Sequence, residues 1–478
     1  MPTAAPGTAR GIDPTWTPQG DVIVTPGQLT QALVDGRGIG TRFALLPGAH
    51  RLSAPLRLKD GQQLLGHPGA SLNGSKVLSG FGASGGAWYV DGQTQRLPGA
   101  SAPGYSICLA DGPMCNEPEA VFLDGVPLKQ VGSRAELQSG RFWFDKTVSR
   151  IWLGSDPSGR TVETTVATGA VVNGRNNVLR TLVVERFGTA PQAAAIHGVD
   201  MVIERSVVQH TSGQGISNYG GVIRGNLVLR NGQMGLAGGG SGLLVENNEI
   251  AFNNTERVNP EWEGGGTKWA FSTDLVVRDN WNHHNWGSGF TTDIDNLRSL
   301  YERNTVEDNG DIGIMHEISH SAVIRNNVVR RNGQRVGWFP GRVGINVTNS
   351  TGVQVHGNVV EDNAGGGILG AQDCRTGGGA NGTWDLRDLK VYDNTVRGIG
   401  TGGHFQWQNG LDIHTCVADR GSYYTSRGNL YSNNRYVMPT SGGLWFISNQ
   451  PDGSTTVSVG WTAWAATGQD QSSAMRTQ

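Results

Sequence analysis

Short apolar runs, each closed by a polar turn, recur along the second half of the chain. VIRGN, LVENN, VVRDN, YERN, VIRNN, VHGN, VYDN and TSRGN set Asn226, Asn248, Asn280, Asn304, Asn327, Asn358, Asn394 and Asn429 directly after such a run. The tightest spacings are 22, 24 and 23 residues, and the wider ones fit the same unit carrying an insertion. A unit this short cannot bury its own apolar face, so it must stack on its neighbours. Five residues later stands a second column: Asn231, Asn253, Asn285, Asn309, Asn332, Asn363 and Asn434. Nine residues after four of the first-column Asn come Gly235-Leu236, Gly289-Phe290, Gly313-Ile314 and Gly367-Ile368. Asn tolerates left-handed backbone, Gly permits tight corners, and stacked Asn amides bond from coil to coil. Val, Ile, Thr, Asn and Gly at this density fit short alternating strands rather than helices. The pattern predicts an all-β solenoid, a right-handed parallel β-helix of about ten coils running to residue 437. Phe290, Ile294, Ile314, Ile318 and Ile345 are expected in its core.

The periodicity also divides the chain. Residues 1–75 hold a helical cap (PGQLTQALVDG) and the first coils, closing the exposed strand edge. Residues 76–170 lose the Asn ladder, and VFLDGVPLKQV, GRFWFD and RIWLGS read as hairpins of an inserted β subdomain. Residues 171–437 form the regular coils, and 438–478 a capping strand, short helix and extended segment.

Composition sharpens this picture. Gly supplies 73 of 478 residues and charged residues only 16%, consistent with a turn-rich solenoid. A net charge of −2 gives no reason to expect nucleic acid, and no run is apolar enough to span a membrane. Of the four cysteines, Cys108 and Cys115 share a loop, while Cys374 and Cys416 fall on successive coils within disulfide reach, about 4.4–6.8 Å between Cα atoms. Two disulfides would suit a secreted protein, although no signal core follows Met1.

Candidate chemistry follows from strand alternation. With the Gly of each coil at position zero and the next residue inward, Gly289 puts Asp293 outward at position four, and Gly313 puts Glu317 there on the next coil. Lys268 points outward one coil earlier, and Asn346 and Thr348 one coil later. Strands ~4.8 Å apart place like charges in repulsion, which raises one carboxyl pKa. One protonated and one ionised carboxyl suit glycosidic bond cleavage. A separation of ~5–5.5 Å fits retention. The diagonal Asp295–Glu317 pair, at roughly 7–8 Å, would fit inversion. Asp295 otherwise reads as a supporting acceptor, and His316 as an inward-facing core or corner residue. Trp262, Trp286, Trp338 and Trp407 are loop anchors or sugar-stacking platforms. His283, His284 and His320 show no consistent ligand spacing, so no metal is expected.

GFTTD at 289–293 and GIMHE at 313–317 resemble the paired motifs of β-helical glycoside hydrolases, particularly the family containing retaining β-xylosidases. That resemblance implies Asp293 as nucleophile and Glu317 as acid/base. TDIDN at 292–296, HEIS at 316–319 and the closing WTAW segment are similar to uncharacterised parallel β-helix repeat proteins. TTDIDN replaces the tryptophan-rich motif expected beside the xylosidase nucleophile, so sugar specificity does not carry over.

Two other readings compete. A polysaccharide lyase would use Lys268 with Arg298 or Arg342, and calcium on Asp293, Asp295 and Glu317. A non-catalytic carbohydrate-binding solenoid would need no acidic pair. The loops TERVNPEWEGG and QRVGWFPGR beside that pair favour an enzyme acting on an oligosaccharide or polysaccharide, with no cofactor unless calcium serves a lyase.

Overall fold

The computed structural model describes residues 10–102, 104, 106–335, 341–398, 408–439, 443–449 and 456–477. Two long ladders of strands run through it, one of 25 strands and one of 13. In the smaller ladder, Val207–Gln209, Leu227–Leu229, Glu249–Ala251, Trp281–His283, Thr305–Glu307, Val328–Arg330 and Val359–Glu361 pair in parallel, each with the next. The strands are three residues long because only the middle side chain points inward: Val208, Val228, Ile250, Val306, Val329 and Val360 are fully buried. Phe290, Ile314 and Ile345 lie in the same continuous core, as the alternation requires.

The Asn columns are real hydrogen-bonded ladders. Asn280 donates through its backbone N and Nδ2 to Asn304 Oδ1 at 3.0 and 3.1 Å, and through Nδ2 to the Val245 carbonyl at 2.9 Å. The same bonds link Asn226 to Asn248, Asn304 to Asn327 and Asn327 to Asn358. The left-handed residue is not the ladder Asn but the one before it: Asn247, Asp279, Arg303 and Asn326 have φ between 54° and 58°. One expected assignment changes. Asn394 bonds to Asn434, whereas Asn429 Oδ1 accepts from Leu389 N. Asn434 therefore ends the first column, because Thr395 pairs with Arg435 in the last full coil.

The helix of the first coils spans Gln31–Asp35, capped by Thr30, whose side chain accepts from Leu33 N. Residues 75–165 form two small sheets outside the ladders. One pairs Ser75–Leu78 with Val162–Thr165, the other Arg141–Asp145 with Arg150–Leu153, all antiparallel, around a separate core containing Val121, Phe142 and Ile151. At the far end, Trp464 of the helix Trp461–Ala466 is buried against Phe446 and Tyr431, and its Nε1 donates to Asp470 at 2.7 Å. Both cysteine pairs are disulfides, with Cα separations of 5.5 Å for Cys108–Cys115 and 5.6 Å for Cys374–Cys416.

Candidate active site

On the larger ladder, Trp269 pairs with Thr292, Thr292 with His316 and His316 with Val347. That register puts Asp293 and Glu317 on neighbouring coils at the same outward position. They line one narrow cleft with Lys268, Thr291, Met315 and the loop residues Pro260–Gly264.

Each carboxylate has a cation of its own. Lys268 Nζ lies 2.8 Å from Asp293 Oδ2 and 3.1 Å from Glu263 Oε1. Burial pulls the Lys268 pKa down, but the two carboxylates outweigh it and hold the ammonium above its ordinary value. Asp293 Oδ1 is buried and accepts no hydrogen bond among the described residues. Glu317, only 4% exposed, meets Arg375 Nη1 through Oε1 at 2.9 Å. Burial and then the neighbouring Asp293 charge push the Glu317 pKa up to about 7, against the opposing pull of Arg375 and Lys268. Neighbouring carboxyl groups thus occupy unlike environments: one ion-paired with a free oxygen, the other able to carry a proton near neutrality.

The strand alternation stops after Thr292. Ile294 and Asp295 are both left-handed, at φ 68° and 56°, so the chain turns off the sheet. Ile294 is consequently half-buried rather than in the core. Ile318, at φ 35°, is buried outside the main core cluster for the same reason. Asp295 does not face Glu317 along the sheet. Its carboxylate accepts from Ala380 N at 2.7 Å and Asn381 N at 3.3 Å, with His320 Nε2 at 3.6 Å. It anchors the hairpin Gly378–Thr383.

The remaining expectations sort by geometry. His316 is fully buried, with Nδ1 2.7 Å from Thr292 Oγ1, and burial followed by the nearby His320 pulls its pKa down to about 3. Asn346 and Thr348 are buried too, and Thr348 Oγ1 donates to Asn346 Oδ1 at 2.5 Å, so they meet each other rather than the cleft. Trp262 lines the cleft, whereas Trp286 carries the Arg257 guanidinium 4.4 Å above its ring and so anchors the loop. Trp338 and Trp407 lie outside the described residues. Arg298 is forked onto Asp274, and Arg342 Nε donates to the Gly333 carbonyl. His283 and His284 contact each other, Nδ1 to Nδ1, at 2.8 Å, on the other sheet. Among the described residues, Cys374, His414 and Cys416 are close enough together to hold a metal, but a disulfide joins the two sulfurs.

Sequence reasoning missed Glu263 and Arg375. Glu263 sits in a loop already suspect as a wall, and its approach to Lys268 is fixed only by that loop's path. Arg375 directly follows Cys374, whose disulfide pins it, and Asp373 Oδ1 accepts from Arg375 N at 2.8 Å.

The family model for a right handed beta helix region matches residues 192–360 and 251–396. The chain is a right-handed parallel β-helix. Among solved structures, this β-helix is similar to XylC in complex with xylose, with a TM-score of 0.62 at 13% identity, covering 84% of this chain and 78% of that one. It also matches the A-module of the mannuronan C-5 epimerase AlgE4 of Azotobacter vinelandii, with a TM-score of 0.48 at 15% identity over 85% of this chain and 88% of that one. No curated protein matches the sequence. At such identities the likeness concerns the fold.

Proposed function

We propose that this β-helix is a carbohydrate-active enzyme, a retaining glycoside hydrolase in which Asp293 is the nucleophile and Glu317 the acid/base. One observation carries the reading: Asp293 keeps a buried Oδ1, unbonded among the described residues, beside a Glu317 whose pKa is raised to about 7. Asp293 Oδ1 attacks the anomeric carbon as Glu317 gives its proton to the leaving oxygen, so the glycosidic bond breaks as the glycosyl–enzyme ester forms. Esterification removes the Asp293 charge that had helped raise the Glu317 pKa. Glu317 then holds its negative charge more readily, with Arg375 beside it, and takes a proton from the attacking water.

XylC, whose structure holds xylose, supports a saccharide as the substrate class. The cleft holds only about 50 Å³, far below the ~300–1,000 Å³ of ordinary ligand pockets. A sugar ring therefore enters as the loop tip 260–264, carrying Trp262 and Glu263, moves aside. An inverting pair of Asp295 and Glu317 is disfavoured because backbone N–H groups occupy the Asp295 carboxylate. A lyase is disfavoured because Lys268 is held between two carboxylates as an ammonium and cannot abstract a proton. Two disulfides favour an extracytoplasmic location.

The test is stereochemical. NMR of the first-formed sugar should show retained anomeric configuration, and azide should partly rescue Asp293→Ala or Glu317→Ala. An inverted product moves the assignment to another pair, and an unsaturated uronate product ends the hydrolase reading.

A further inference from the structure

A larger cavity of about 430 Å³ lies between the inserted sheets and the solenoid and shares no lining residue with the cleft of Asp293 and Glu317. Three remote stretches of chain enclose it: the Cys108–Cys115 disulfide loop, the inserted segment 120–130, and solenoid turns at 210–212, 230 and 255–257. These walls are tied together. Leu109 N donates to the Arg257 carbonyl at 3.0 Å, Asn259 N to the Ile107 carbonyl at 2.8 Å, and Ser212 Oγ to the Pro118 carbonyl at 2.6 Å. The cavity is preformed and of ordinary ligand size.

Its chemistry is uneven. Met114, Phe122 and Leu128 give one apolar wall. Lys129 and Arg230 line it with no carboxylate in ion-pair range among the described residues, while Arg257 is already paired with Asp111 at 3.3 Å. Glu256 also lines it, and its carboxyl receives no protein hydrogen bond among the described residues. Three cations thus face two carboxylates. His210 stands edge-on to Phe122, ring centroids 6.1 Å apart. Burial, with help from Arg230 and Arg186, pulls its pKa down to about 4, so it offers a neutral ring.

We propose that this cavity binds a saccharide unit bearing a carboxylate, a uronate, with the acid group between Lys129 and Arg230. The apolar ring face lies on Phe122 and Met114, and hydroxyls reach Glu256 and His210. Burial raises the Glu256 carboxyl pKa, against the opposing pull of Arg257 and Lys129. The site also bears on the cleft. Thr255–Arg257 wall the cavity and Pro260–Gly264 wall the cleft, so one short loop touches both. An acidic unit held here steadies the base of the loop whose tip walls the cleft at Asp293.

The binding claim does not depend on the hydrolase reading, and its test needs no turnover. D-glucuronate and D-glucose are titrated calorimetrically into the full chain. Glucuronate should bind and glucose should bind at least tenfold more weakly. The double variant Lys129→Ala/Arg230→Ala, which alters only exposed side chains and whose fold is checked by circular dichroism, should lose at least tenfold in glucuronate affinity. Asp293→Asn should retain it. Absence of glucuronate binding, equal affinity for glucose, an unaffected double variant, or loss of binding in Asp293→Asn would each overturn the proposal.

Discussion

Two columns of stacked side chains run along this solenoid, and they obey opposite rules. In the Asn226–Asn434 column every coil repeats one residue, and each amide hands a hydrogen bond to the next. Nothing in it is charged. In the outward column at position four, the register stacks Tyr219, Gly239, Ala270, Asp293, Glu317, Thr348 and Ala371. Here two like charges interrupt a neutral run, and stacking raises energy instead of lowering it. Repetition builds the frame, and the break in repetition marks the proposed site.

The sharpest way to break the comparison is to exchange the effects. Asp293→Asn and Glu317→Gln should each lower kcat on the natural substrate by about 10²–10⁴-fold or more, with circular dichroism unchanged. If either variant unfolds, the position-four column is structural after all. Asn280→Ala should do the reverse. It removes bonds to Asn248, Asn304 and the Val245 carbonyl and leaves buried groups unpaired, costing about 2–4 kcal/mol in urea unfolding while kcat is retained.

The carboxylate column should also reveal itself through pH. The Glu317 pKa is raised in the fold from 4.5 to about 7, so the folded state keeps a proton that the unfolded state releases. The contribution of Glu317 to stability is therefore fully present below pH 4.5, falls as pH rises through that interval, and levels off above about 7. Glu317→Gln should abolish that slope, gaining on the order of 3 kcal/mol relative to wild type above pH 7, less what the lost Arg375 contact contributes. In turnover, loss of the Glu317 proton should set an alkaline limb near pH 7. Arg375→Ala should shift that limb upward, because Arg375 opposes the rise. The smallest effect is expected from Cys374→Ser/Cys416→Ser. Freeing the segment that carries Arg375 should move the same limb in the same direction, by less, and a downward movement would disconnect the disulfide from the site.

The frame was legible because it is periodic: the Asn and Gly spacings set strand register, and that register stacks Asp293 on Glu317. What escaped was aperiodic. Two successive left-handed residues at Ile294 and Asp295 end the alternation, so its extension placed both side chains wrongly. Asn429 and Asn434 lie five apart like every other pair, and only strand pairing shows that Asn434 closes the first column. Glu263 and Arg375 arrive on insertions, whose paths no coil repeat constrains.

The Asn ladder keeps one geometry across very different lengths of chain. Its linked residues are 22 positions apart between Asn226 and Asn248, 32 between Asn248 and Asn280, and 40 between Asn394 and Asn434, yet backbone-to-Oδ1 distances stay at 2.9–3.0 Å. The frame is blind to what is spliced between its rungs, and lengthening a flexible loop adds closure entropy only logarithmically. Loops such as 254–264 are thus free to diversify by insertion and deletion without renegotiating the core. For an engineer, new walls can be grafted around the same two carboxylates while the Asn column continues to fix where every coil sits.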